Sequence, residues 1–233
     1  MKRFSLIILC LLLIPNSLAW GWKTHQNLVE NVYDSFPREL QSKLNITLIR
    51  EGSIAPDKVF RDNVLHHYPP AYKLALKWFN VSKESFYNNN YDNASYAFGV
   101  MSHYITDSFV APHYIRKEDP KLHSEFERQV SNYIPKIKCE KVDYDLNRSL
   151  DEASKHKEDW EPWLMSKDKL IPEQAAEEAE KLLYSVSLDL FNTNCVEKTK
   201  IINTKFSVSN GFMIVAFVIG IMIFILLIYL FKN

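Results

Sequence analysis

Histidines and carboxylates recur along this chain in one order, and any fold that uses them together must bring distant segments to one place. Trp20-Gly21-Trp22-Lys23-Thr24-His25 comes first, then Asp57, then the pair His66-His67. His103 and Asp107 follow with four-residue spacing, then His113, and finally His123 and Glu127, again four apart. Of seven histidines only His156 stands outside the series. Imidazole nitrogen and carboxylate oxygen, without thiolate, make a ligand set suited to zinc. Several ions at one site would explain the concentration.

The segments that carry these residues read as helices. His25, Leu28, Val29 and Val32 form an apolar stripe at i, i+3, i+4 and i+7. Residues 72–79 and 94–109 repeat the period, and Pro112 stops the second and turns the chain at His113. Residues 121–133 form another amphipathic segment, and 172–191 a long one with acidic residues early, where they favour the helix dipole. With 5 glycines and no sustained alternation, the expected fold class is all-α, a multi-helix bundle. His103 and Asp107 share one helix face, as do His123 and Glu127 on the next helix. His25 lies near the start of the first helix, and Asp57 is expected in a loop after Gly52. The ligands then converge from separate helices, as in bundle-core metal sites. A lone His103 beside Met101, Tyr104 and Ile105 would read as a packed core residue; its companions in the series overturn that. His156, among Lys155, Lys157 and Glu158, reads as a solvated surface residue. Trp160 and Trp163 read first as core, and alternatively as the rim of a cleft.

The ends suggest where such a chain works. Lys2 and Arg3 precede an apolar run, and Ser17-Leu18-Ala19 offers small residues for a cut. Residues 1–19 are therefore expected to be a secretory signal peptide, with Trp20 as the new terminus. Residues 211–231 are uncharged and apolar, long enough to span a bilayer, and Lys232 follows. A glycolipid-anchor signal is a minor alternative. The expected domains are a catalytic domain over 20–195, a linker over 196–210 and a transmembrane helix over 211–231. The domain would sit outside the cell on a single-pass tether in the cell membrane. Cys139 and Cys195 remain after loss of Cys10, an even count that favours a disulfide in an exported domain. The sequons at Asn45, Asn80, Asn93 and Asn147 are compatible with glycosylation. The formal net charge is 0, so no global field draws the chain to nucleic acid.

The ligand series, from Trp20 to Glu127, resembles that of the zinc-dependent phospholipases C and the related zinc-dependent nucleases. That resemblance implies an all-helical fold around three zinc ions. Asp57, His66, His103 and Asp107 would hold the first ion, and His113, His123 and Glu127 the second. The amino and carbonyl groups of Trp20, with His25 and Asp107, would hold the third, so Asp107 bridges two ions. Only one of His66 and His67 fills the family position; Leu65-His66-His67-Tyr68 aligns without a gap when it is His66. Asp57 would act as a ligand or as a catalytic general base.

Phospholipase and nuclease share this cluster. His123-Ser124-Glu125-Phe126-Glu127 is more similar to the phospholipase ending, and the nucleases' Gly-Gly-Asn segment is missing between His113 and His123. The expected substrate is a phospholipid, with no nucleic acid partner. Choline-preferring members carry an acidic residue near the mature terminus. Here Lys23 is the only charged residue between Trp20 and His25, which points to an anionic or neutral headgroup.

Overall fold

The stripe that begins at His25 becomes α1 (Trp22–Asp34), which buries His25, Leu28, Val29 and Val32 on one face. The computed structural model describes residues 21–62 and 64–194. The expected leader 1–19, Trp20, Cys195, the expected linker 196–210 and the expected span 211–231 lie outside the described residues. No helix among those described is long and apolar enough to cross a membrane. Among them there is also no strand, in keeping with the all-α expectation.

After α1 come α2 (Arg38–Lys43) and α3 (Ile46–Ser53). Asn45 starts α3 by accepting a hydrogen bond from Thr47 N at 3.1 Å. A single π-helical turn, Pro56–Phe60, carries Asp57. The expectation of a loop there is corrected: Gly52 lies inside α3, and Asp57 sits on a wound turn that leads out of it. α4 (Pro70–Tyr87) and α5 (Tyr91–Asp107) form a helical hairpin closed by Asn88, Asn89 and Asn90. Asn89 takes the left-handed conformation at φ 59°, which asparagine tolerates better than most residues. The 3-10 turn Ala111–Tyr114 and α6 (Pro120–Arg128) follow. α7 (Leu146–Ala153), the 3-10 turn Ser154–Asp159, α8 (Trp160–Ser166) and α9 (Leu170–Leu190) complete the described chain.

α5 is the axis of the bundle. From Ala94 to Asp107 every residue except Tyr96 is buried, because α1, α3, α4 and α9 all pack against it. α3 crosses it where two glycines meet. A Cβ on Gly99 would collide with the Ile49 carbonyl oxygen and lie 2.8 Å from Ser53 N. Close approach of two backbones is therefore the condition for this crossing.

A second, smaller core forms around α6 and α8. Phe126 packs against the stacked pair Trp160 and Trp163, with ring centroids 5.9 and 5.1 Å away. Leu28, Val110, Val130 and Ala176 join this cluster. Both tryptophans are thus core residues that fix α6. His156 is not the freely solvated residue expected. Its Nδ1 meets Asp159 Oδ2 at 2.6 Å and its Nε2 meets Glu178 Oε2 at 3.2 Å, so it ties the turn before α8 to α9.

Glu180 on α9 is buried, and its Oε1 accepts a hydrogen bond from Asn31 Nδ2 at 2.9 Å. Burial pushes its carboxyl up to about 8 from an ordinary 4.5; the Asn31 bond acts the other way and nearby Glu177 adds to the rise. The folded chain keeps this proton over a pH range where the unfolded chain has lost it. Stability should therefore be highest below about pH 4.5 as far as this group is concerned. It should fall by up to ~1.4 kcal/mol per pH unit towards pH 8, then level off. Glu180→Gln keeps an acceptor for Asn31 and has no proton to lose. Thermal unfolding midpoints measured across that range are expected to show the decline in the native protein and not in E180Q. Parallel curves would refute the assignment.

Candidate metal centre

Three helices, two turns and one irregular segment deliver the described series residues to one place. α1 brings His25, the π-helical turn Asp57, and the segment before α4 brings His66. α5 brings His103 and Asp107, the 3-10 turn His113, and α6 both His123 and Glu127. Asp107 is the hub and is 1% exposed. Its Oδ1 lies 3.1 Å from His25 Nε2, and its Oδ2 lies 2.7 Å from His66 Nδ1 and 3.2 Å from His103 Nε2. His113 Nδ1 is 3.8 Å from the same oxygen. Trp20 lies outside the described residues.

Two groups could each hold a metal. Ligand atoms of Asp57, His66, His103 and Asp107 all lie within 4.8 Å of one another, and so do those of His113, His123 and Glu127. His66 is buried within the first group, whereas His67 is half-buried outside it, its ring edge-on to Tyr114 at 5.7 Å. His67 lines the cleft above the cluster.

The fit to a cation can be tested on hydrogen bonding. His66 Nε2, His103 Nε2, Asp107 Oδ1 and Glu127 Oε2 are buried without a well-aligned hydrogen bond. Buried polar atoms are normally paired, and here most of the exceptions belong to the candidate ligands. The opposite ring nitrogens are anchored. His103 Nδ1 faces the Ser53 carbonyl at 2.8 Å, and His25 Nδ1 faces Thr106 Oγ1 at 3.0 Å. His113 Nδ1 faces the Asp107 carbonyl at 3.2 Å, and His123 Nδ1 faces Glu118 Oε1 at 3.0 Å. Fixing Nδ1 turns Nε2 inward, the arrangement that orients metal-bound histidines.

The electrostatics say the same. Burial opposes charge on His103, yet Asp107 and Asp57 outweigh it and hold the imidazole up at about 10. Burial likewise opposes charge on His123, but Glu127 and Glu118 push it up to about 9. His25 is held down by burial and by neighbouring His103. Burial works against ionisation of Asp107, but His113, His103 and His25 hold it well below the carboxylate range. The carboxylates attract positive charge strongly enough to retain protons, and a metal would have to displace them.

Ser53, Thr106 and Glu118 are the residues that sequence reading missed. None belongs to a ligand pattern, and only the folded chain shows what they face. Glu118 gives a direct test, since its carboxylate faces His123 Nδ1 and leaves Nε2 to point at Glu127. Glu118→Ala is expected to weaken divalent-metal binding about 10–100-fold, while Glu118→Gln, which keeps an acceptor, should retain most of it. Metal titration followed calorimetrically would show this. Equal affinity in the alanine variant would remove Glu118 from the centre.

The centre opens into a cleft of about 610 Å³, whose lining also includes Val64, Pro112 and Arg116. A cleft of about 640 Å³ lies between residues 133–140 and α9 but contains no histidine, so the chemistry belongs to the first. A search of curated proteins finds no match to this chain. Over residues 24–179, most of its length and nearly all of the series, it matches the family model described as zinc dependent phospholipase C. With that match over an all-helical fold and two candidate metal groups, the chain belongs to the zinc dependent phospholipase C family.

Proposed function

We propose that this chain is a zinc-dependent phospholipase C that hydrolyses membrane phospholipids from the outer face of a cell membrane, held there by residues 211–231. Three zinc ions serve the site: the two groups around Asp107 and Glu127 hold one each, and Trp20, freed by removal of 1–19, completes a third with His25 and Asp107. The observation that carries this reading is the pair of ligand groups, with their orphaned buried atoms, opening on one cleft.

Zinc in such a site supplies a Lewis acid and lowers the pKa of a coordinated water towards about 7. The protein's own part is placement and proton handling. Asp57 stands at the edge of the cleft, its carboxyl held below the ordinary range: burial raises it, but His103 more than compensates. It therefore arrives ionised and able to accept a proton from the attacking water. Water adds to phosphorus as the bond from phosphorus to the glycerol oxygen breaks, giving a diradylglycerol and a phosphorylated headgroup.

The cleft favours an anionic headgroup over choline. Its carboxylates are committed: Asp57, Asp107 and Glu127 to the ligand groups and Glu118 to His123. Its described lining contains no Phe, Tyr or Trp, and quaternary ammonium groups are recognised by aromatic cages. Exposed Arg116 makes no ion pair or hydrogen bond among the described residues. It is free to meet an anion.

The test is turnover at equal enzyme and zinc on mixed phospholipid vesicles and on single-stranded nucleic acid. Release of diradylglycerol, faster from lipids with anionic headgroups than from choline lipids, is expected. Faster hydrolysis of the nucleic acid would overturn the substrate class and leave the metal centre standing.

A further inference from the structure

Val59, Phe60, Val64 and Leu65 are 63, 42, 68 and 39% exposed. Among the described residues, the other large apolar side chains exposed to this degree are scattered singly, at Leu76, Tyr87, Ile134, Met165 and Leu170. Single exposed apolar residues need no explanation, but a cluster does. Val59 and Phe60 end the turn that carries Asp57, Val64 and Leu65 lie just beyond it, and Val64 lines the metal cleft.

The segment is built to hold these side chains outward. Asp62 turns inward: its Oδ1 accepts from Val64 N at 3.3 Å and Leu65 N at 3.0 Å, and its Oδ2 accepts from the buried Tyr104 hydroxyl at 3.0 Å. Asp62 N donates to the Pro56 carbonyl at 2.9 Å. Phe60 stacks on Trp78, with centroids 5.8 Å apart and planes 7° off parallel. The segment's acid is thus spent on its own architecture.

Its cations are not. Lys58 lies over the Trp22 ring at 5.2 Å and Lys77 over the Trp78 ring at 5.5 Å. Neither they nor Arg61 have a carboxylate partner among the described residues. An apolar tip flanked by unpaired cations and tryptophans is complementary to an anionic lipid surface: acyl chains receive the tip, headgroups the cations and rings.

We propose that the apolar side chains of Val59, Phe60, Val64 and Leu65, flanked by Lys58, Arg61 and Lys77, dock the rim of the metal cleft onto an anionic bilayer surface. The inference takes from the preceding reading that the substrate is a lipid and that residues 211–231 hold the chain at the membrane. It adds how a headgroup packed in a bilayer reaches a cleft whose ligands are buried. Binding by this rim and the tether at 211–231 are separate, since the tether fixes distance and the rim fixes which face meets the lipid.

The experiment uses the full chain reconstituted in phosphatidylcholine vesicles, with or without about one-third phosphatidylserine. Amide exchange around Val59, Phe60 and Leu65 is expected to slow about ten-fold on the anionic vesicles. The double variant V59S/F60S should lose that slowing and hydrolyse vesicle lipid about ten-fold more slowly. Its turnover of a short-chain phospholipid dispersed as monomers should stay unchanged, and its unfolding midpoint should fall by no more than a few degrees, the loss of the Phe60–Trp78 stack. R61E/K77E, which leaves the apolar tip intact, should lose the preference for anionic vesicles. Equal exchange on both vesicle types would overturn the proposal. So would protection that grows with protein concentration without anionic lipid, which would mark a contact between copies. Absence of monomer turnover in the unaltered chain would instead defeat the phospholipase reading, with the exchange result still deciding the docking.

Discussion

Asp107→Asn is expected to strip the centre of more than one zinc ion per chain and to lower turnover by at least 10²–10³-fold, on the order of losing one preorganised charged group. The buried carboxylate stands within 2.7–3.2 Å of imidazole nitrogens from His66, His25 and His103. The amide removes its negative charge and presents an N–H₂ group to those nitrogens. A carboxylate can serve two ions through two oxygens; an amide offers one neutral acceptor. Breaking a buried charge pair can cost about 3–5 kcal/mol, but here the histidines can shed their protons, so the helical fold should persist with a depleted centre. Zinc per chain by elemental analysis, read beside circular dichroism, separates depletion from unfolding. Asp57→Asn provides the contrast. Asp57 lies at the edge of the cleft rather than at the hub, so activity should fall further than zinc content. A D107N protein that kept the full zinc complement and normal turnover would remove Asp107 from the hub.

What could be read beforehand follows from how far each signal reaches along the chain. The long helices α1, α4, α5 and α9 were legible because three or more turns of apolar period cannot be mistaken for alternation. α2, α3, α7 and α8 were not. At six to eight residues they are too short to show a period, and their helicity comes from packing rather than propensity. The ligand series was legible because its chemistry is rare and its i, i+4 pairs are local. The partners of the ligands were not. Ser53 lies fifty positions from His103, and it contributes a backbone carbonyl that any residue could supply. Glu118 is one acidic residue among many until α6 folds and aims His123 at it. His156 shows the same limit from the other side: its lysine-rich neighbours suggested solvent, while its carboxylate Glu178 arrives from α9.

Gly99→Ala is expected to damage the bundle severely, because it strikes the crossing that holds the first ligand group. The new Cβ would collide with the Ile49 carbonyl and lie 2.8 Å from Ser53 N and 3.0 Å from the Gly52 Cα. All three are backbone atoms, so no side chain can rotate away, and α3 itself has to move off α5. Ser53 ends α3, and its carbonyl sits 2.8 Å from His103 Nδ1. The π-helical turn with Asp57 begins three residues later. Displacing α3 therefore loosens His103 and shifts Asp57 in one step. Overpacking of a tight core costs about 1–3 kcal/mol and sometimes more; a clash with backbone on three sides belongs at the upper end. For a chain of this size that corresponds to a fall of roughly 6–12 °C in unfolding midpoint. Zinc affinity should fall about 10–100-fold as well, the usual cost of disturbing a group that orients a ligand. Ser102→Ala is a matched control on α5, since its hydroxyl bonds only the Gly99 carbonyl of its own helix. Unfolding and zinc titration of both variants decide the matter. A G99A protein as stable and as zinc-avid as S102A would mean that α3 and α5 can separate without cost, and that their close crossing does not position the centre.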